Sequence, residues 1–120
     1  MATRAILLVD HGSRRPEANR QLELLAHELR RRRPETIIEV AHLEIAEPSI
    51  ERGLDACVRA GASEIAVHPF FLSPGRHTSE DIPRLVAAAA QRHPEVVVRI
   101  TPPVGASANI VELILGQVEE

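Results

Sequence analysis

Two of the six histidines in this 120-residue chain, His11 and His77, fall just past short apolar runs, where an open α/β sheet assembles its binding crevice. His11 sits in Val9-Asp10-His11-Gly12-Ser13-Arg14, directly after the run Ala5 to Val9. His77 ends Phe70-Phe71-Leu72-Ser73-Pro74-Gly75-Arg76-His77, beyond the run Ile65 to Val67. Imidazole is the commonest protein ligand for transition metals and the usual general base near neutral pH. A third group, Glu44 in Ala41-His42-Leu43-Glu44-Ile45-Ala46-Glu47-Pro48, stands at the exit of another strand-like run and is expected on the same sheet edge. If the three converge, two neutral imidazoles and a carboxylate suit a divalent first-row metal and leave coordination positions open, as transfer or catalysis requires. The blander reading of each histidine is a hydrogen-bonded residue capping a strand end.

The flanking residues narrow the chemistry. Gly12, Ser13, Arg14 and Arg15 precede a helix start and are equipped to meet an anion. The stretch from Phe70 to Thr78 is long for a β-α connection and joins an apolar segment to a cationic, basic tip at Arg76 and His77. An apolar ring system bearing carboxylates would suit it. Of the other histidines, His27 and His93 read as solvent contacts on helices, and His42 and His68 as structural residues of strands. Glu47 reads as serving the helix N-terminus beside Pro48.

Four β-α units are needed to position these groups. Arg4 to Val9, Ile37 to Leu43, Ile65 to Pro69 and Val96 to Ile100 read as strands. A helix from Pro16 to Arg33 carries Leu22, Leu25, Ala26 and Leu29 at helical spacing; a second opens at Pro48-Ser49-Ile50, carries Leu54, Cys57 and Val58, and ends at Gly61. A third begins near Ser79-Glu80-Asp81 and carries Leu85, Val86 and Ala89; a fourth, Asn109 to Val118, is expected to turn Ile110, Leu113 and Ile114 inward. The alternation implies one α/β domain over residues 1–120, a four-stranded parallel sheet flanked by helices on both faces, flavodoxin-like, with function at the strands' carboxyl ends. Arg30 to Arg33 is the only charge run and reads as a solvated helix end.

Composition excludes several classes. The chain contains no lysine, so all 14 of its cationic Lys/Arg side chains are arginine, which removes phosphate-loop and Schiff-base chemistry. A net charge of -3, no Trp or Tyr and two Phe argue against a nucleic-acid surface. No apolar run reaches the ~18–20 residues that cross a bilayer, and Met1 to Arg4 leads straight into a strand, so neither membrane insertion nor a signal peptide is expected and the default address is cytoplasmic. The lone Cys57 can form neither an internal disulfide nor a Cys-type zinc site and reads as core filling.

Three segments in order, Asp10-His11-Gly12-Ser13-Arg14, Leu43-Glu44-Ile45-Ala46-Glu47-Pro48-Ser49, and Pro69-Phe70-Phe71-Leu72 through Gly75-Arg76-His77 to Asp81-Ile82-Pro83, resemble the class II tetrapyrrole chelatases. The resemblance covers nearly the whole chain and is to the short, single-domain form of the sirohydrochlorin cobalt, iron or nickel chelatases. It implies a lyase-class enzyme that inserts a divalent metal, Co²⁺ first and Fe²⁺ or Ni²⁺ as alternatives, into sirohydrochlorin or a related precorrin, with no organic cofactor. It also implies metal-binding and proton-accepting roles for His11 and His77, a companion role for Glu44, and a homodimer whose second copy walls the crevice. Ser13, Arg14, Arg15 and Arg76 become the candidate clamps for the substrate's carboxylates. His42 departs from the aromatic residue expected at its position, and Ser73-Pro74 stiffens the third loop; both bear on substrate fit and metal choice.

Two rival readings stand beside this one. A metal carrier or sensor would need the histidines but neither the arginines nor the apolar loop. A histidine phosphatase would present a strand ending in His-Gly, yet Asp10 precedes the histidine where that chemistry wants arginine, and a carboxylate there repels phosphate by ~1–4 kcal/mol.

Overall fold

The computed structural model describes residues 2–73 and 75–119; Pro74 and the side chains of His77 and Thr78 lie outside the described residues. Four strands, β1 (Arg4–Asp10), β2 (Ile37–His42), β3 (Glu64–Pro69) and β4 (Val97–Ile100), alternate with four helices, α1 (Pro16–Arg32), α2 (Ile50–Arg59), α3 (Ile82–Ala90) and α4 (Asn109–Val118). All neighbouring strands pair in parallel, in the order β2-β1-β3-β4.

Period-two alternation sorts the side chains of the central strand β1 to two faces. Leu8, with Ile38 and Val40 of β2, packs against Leu22 and Ala26 of α1, and Leu25 and Leu29 complete that layer. Ala5, Leu7 and Val9 face the other way, onto Ile50, Leu54 and Cys57 of α2 and Ile82, Val86 and Ala89 of α3. Gly53 lets α2 lie close on the sheet, since a Cβ there would stand 2.8 Å from Leu7 and 2.9 Å from Ala41. Burial among these residues pushes the Cys57 thiol pKa up to about 12.

Local signals account for the helix ends. The Ser49 hydroxyl accepts from the Arg52 N–H at 3.2 Å and caps α2, and Glu47 backs it by accepting from the Ser49 N–H at 3.3 Å. Gly61, at φ +106°, takes the chain out of that helix. A single π-type turn, His77–Asp81, precedes α3 and carries the chain into it.

Three expectations need correction. α4 buries none of its residues: Leu113 is 59% and Ile114 52% exposed, and the helix packs appreciably only on the 3-10 turn Val104–Ala106 before it. The physical reason is in the preceding turn, where Gly105 N–H donates to Phe71 O at 2.9 Å and fixes the helix start at the rim of the sheet. Arg30 is not merely solvated, because its Nε and Nη2 both donate to Ile38 O, at 3.2 and 2.8 Å; Arg31 and Arg32 do face solvent and pair with Glu28.

His93 is likewise no simple solvent contact. Its Nε2 lies 2.8 Å from Asp55 Oδ1, while Arg92 pairs with the same carboxylate and with Glu51, clipping the end of α3 to α2. The His93 bond, helped by the Arg92 charge, holds the Asp55 carboxyl below its usual pKa against the opposing effect of burial. A depressed carboxylate stabilises the fold above its unfolded pKa and loses that contribution as pH falls through the folded value. Asp55→Asn is therefore expected to flatten the loss of stability below about pH 4 in urea-unfolding profiles. Parallel wild-type and variant profiles in that range would remove Asp55 from the acid response.

Candidate metal and substrate site

The strand order sets the location. From β1 the chain turns toward β2 through α1 on one face, and from β3 it turns toward β4 through α3 on the other, so a crevice opens between the carboxyl ends of β1 and β3. The loop holding His11 leaves one side of it. The segment 70–81 leaves the other, with the main chain of His77 beginning the turn that leads to α3.

The first two loops are tied together through their main chains. Leu43 N–H donates to Asp10 O at 2.8 Å and Glu44 N–H to His11 O at 3.1 Å, so the sheet ladder continues past the strands. Gly12 adopts φ +95°, and a Cβ there would fall 1.9 Å from the Glu44 carbonyl oxygen; only glycine lets the first loop pass this close. On the far side of Glu44, Ala46 N–H reaches back to Glu44 O at 2.8 Å around Ile45, a non-glycine residue at φ +75°. Such strain in a β-branched residue is uncommon and gathers at functional loops.

These constraints bring His11 Nε2 to 3.2 Å from Glu44 Oε2, with the side chains 43% and 54% exposed. The other ring nitrogen, Nδ1, lies 3.2 Å from Gly12 O and can donate to it, which directs the Nε2 lone pair at the carboxylate. Two Lewis bases so placed can share either a proton or a cation. With metal–ligand distances of about 2.1 Å to each, the pair would subtend an angle of roughly 100° at the ion, between octahedral and tetrahedral values.

Two of the three groups expected to converge are thus together, and the side chain of the third, His77, lies outside the described residues. Among the described residues no cluster of three or more His, Cys, Asp or Glu forms a metal site. Arg14, Arg15 and Arg76 are exposed on the loops flanking the crevice, and Arg76 Nε lies 3.8 Å from Glu80. Ser13 is more committed than its sequence suggests: its N–H donates to Asn19 Oδ1 at 2.9 Å and its hydroxyl accepts from the Arg15 N–H at 3.0 Å. Its hydroxyl proton remains to be donated to a ligand.

Sequence reasoning missed one support, Asn19, and the partner of another, His42, whose structural role it did expect. Asn19 donates back to Ser13 O at 2.8 Å and so braces the first loop from inside α1. His42, only 3% exposed, places Nδ1 against Asp10 Oδ1 and gives the carboxylate behind His11 a fixed partner. The signal for the second was positional, since Asp10 and His42 are the closing residues of β1 and β2 and face each other in register. His68, by contrast, holds Thr101 Oγ1 at 2.8 Å, and burial lowers its pKa.

Known proteins bear on this arrangement. The chain is 40% identical over 114 residues to the chloroplastic sirohydrochlorin ferrochelatase of Arabidopsis thaliana, an alignment covering 95% of this chain and 51% of the relative. Its fold superposes on the sirohydrochlorin chelatase SirB from Bacillus subtilis subspecies spizizenii, solved in complex with cobalt, with a TM-score of 0.86 and 33% identity, covering 98% of this chain and 50% of SirB. A CbiX protein from Marinobacter aquaeolei VT8 matches at a TM-score of 0.81 and 28% identity, covering 97% of this chain and 94% of that one. The chain spans about half the length of the first two relatives. No helix among the described residues is long and apolar enough to cross a membrane. With the CbiX family profile matching residues 5–120, a parallel sheet of chelatase type and a histidine–carboxylate pair at its carboxyl edge, the chain belongs to the CbiX family.

Proposed function

We propose that residues 1–120 form one chelatase domain that inserts a divalent metal into sirohydrochlorin or a closely related tetrapyrrole. Co²⁺ is the first candidate, with Fe²⁺ and Ni²⁺ as alternatives. The observation that carries this reading is the 3.2 Å separation of His11 Nε2 and Glu44 Oε2 at the mouth of the crevice. The ferrochelatase and cobalt-bound chelatase relatives support it.

Insertion requires the metal to shed water while two pyrrole N–H protons leave the macrocycle. His11 Nε2 and Glu44 take the incoming ion as substrate, and when it passes to the ring the same lone pairs accept the departing protons. His77, carried on the opposite side of the crevice, supplies a further nitrogen. Arg14, Arg15 and Arg76 meet the macrocycle's carboxylates, and Ile45 and Leu72, exposed at 59% and 77%, offer apolar contact to its face. A single domain gives one wall, and a second copy supplies the other.

The test is direct. Purified protein incubated with sirohydrochlorin and Co²⁺ should change the macrocycle's absorbance faster than the same mixture without protein. Equal rates, with metal still bound by the protein, would instead favour a metal carrier.

A further inference from the structure

Among the described residues His42 is the one buried polar or charged side chain. It follows Ile38 and Val40 on the face of β2 that packs under α1, where both of those neighbours are apolar. Burying an imidazole costs free energy unless its nitrogens find partners, and an apolar ring would fill the same space without that cost. Packing alone therefore does not account for a histidine here. What the imidazole adds is a bond, its Nδ1–H donating to Asp10 Oδ1.

That bond lies at the root of the metal pair. Asp10 and His42 face each other in register as the last residues of β1 and β2. His11 follows Asp10 directly, and Glu44 lies two residues beyond His42. The main-chain N–H of His42 also donates to Pro48 O at 2.8 Å, which draws together the two ends of the segment 43–47 that carries Glu44. His42 thus closes the neck of this loop with its main chain and fastens the neck to β1 with its ring. From there Leu43 N–H to Asp10 O and Glu44 N–H to His11 O carry the contact outward to the two functional residues.

We propose that His42 is a positioning residue for the metal pair: by holding the neck of the Glu44 loop on Asp10, it sets the 3.2 Å spacing of His11 Nε2 and Glu44 Oε2. It does not touch the ion. A cation that needs both groups at once binds more tightly when folding has already fixed their separation. The inference rests on the reading of His11 and Glu44 as the metal pair, and goes beyond it by assigning their spacing to a third, buried side chain.

Co²⁺ titrated calorimetrically into the full chain, with no tetrapyrrole present, reads the pair directly. His42→Phe keeps a planar ring but removes the donor, and should weaken Co²⁺ binding by about 10-fold or more. His42→Asn, whose amide can place an N–H near the position of Nδ1, should recover most of that loss. Asp10→Ala removes the acceptor from a partly exposed position and should match His42→Phe; it decides the question if circular dichroism shows that His42→Phe does not fold. Glu44→Gln supplies a readout that general destabilisation would not move. Added to His42→Phe, it should cost less than about twofold more, because the carboxylate of an opened pair no longer acts together with the imidazole.

Folded His42→Phe or Asp10→Ala protein that binds Co²⁺ within about twofold of wild type would overturn the inference, as would losses that multiply in the double variant. An Asn variant as weak as the Phe variant would overturn it too. Co²⁺ binding untouched by Glu44→Gln alone would bring down the metal pair and this inference together, whereas a loss there beside an unaffected His42→Phe would bring down this inference alone.

Discussion

His11→Ala is expected to lower the rate of metal insertion by about 10²–10⁴-fold, the range that a positioned acid–base group contributes, with little change in melting temperature. The side chain is 43% exposed, so its removal leaves no buried cavity. The loss should be large because one atom, Nε2, is asked to act twice, first as a ligand beside Glu44 and then as a proton acceptor. Glu44→Gln separates the two demands: it keeps the shape of the pair but removes the negative charge that favours a cation. It should weaken metal capture more than it slows the reaction at saturating metal. Initial rates measured over a range of Co²⁺ concentrations read both effects, and a His11→Ala enzyme within a few-fold of wild type would take His11 out of the mechanism.

Gly12→Ala should be severely damaging for the addition of a single methyl group. The added Cβ meets the Glu44 carbonyl oxygen at 1.9 Å, and the residue must hold φ +95°, where alanine is strained. The carbonyl cannot swing aside cheaply, because the main chain around it is held by the Glu44 N–H to His11 O bond and by the Ala46 N–H. We expect about 2–4 kcal/mol lost in urea unfolding. Protein that still folds should have His11 and Glu44 pushed apart and insertion activity reduced accordingly. Unaltered stability would mean that the two loops separate without cost.

The β-α alternation was legible because β1 is buried on both faces and α1 and α2 carry clean helical stripes, so the apolar period and the burial agree. The same logic failed for α4. Its stripe is as apolar as the others, but periodicity reports only that a face is apolar and not whether the chain's own sheet covers it. At the site, Glu44 and His11 could be placed on one edge from strand exits alone. Their actual meeting depends on Gly12 and on the strained Ile45, and neither backbone state follows from residue type. His42 was read correctly as a structural strand residue, but its partner Asp10 was hidden, since the pairing arises from the register between two strands distant in sequence.

The chain's only cysteine has a bearing on the proposed metal chemistry. Sealed between α2 and the sheet and kept as a thiol with a pKa near 12, Cys57 offers no thiolate at neutral pH to divert cobalt, iron or nickel, and none for such ions to oxidise. Under the proposed role, handling a redox-active ion with imidazole and carboxylate spares the protein a competing sulfur anion.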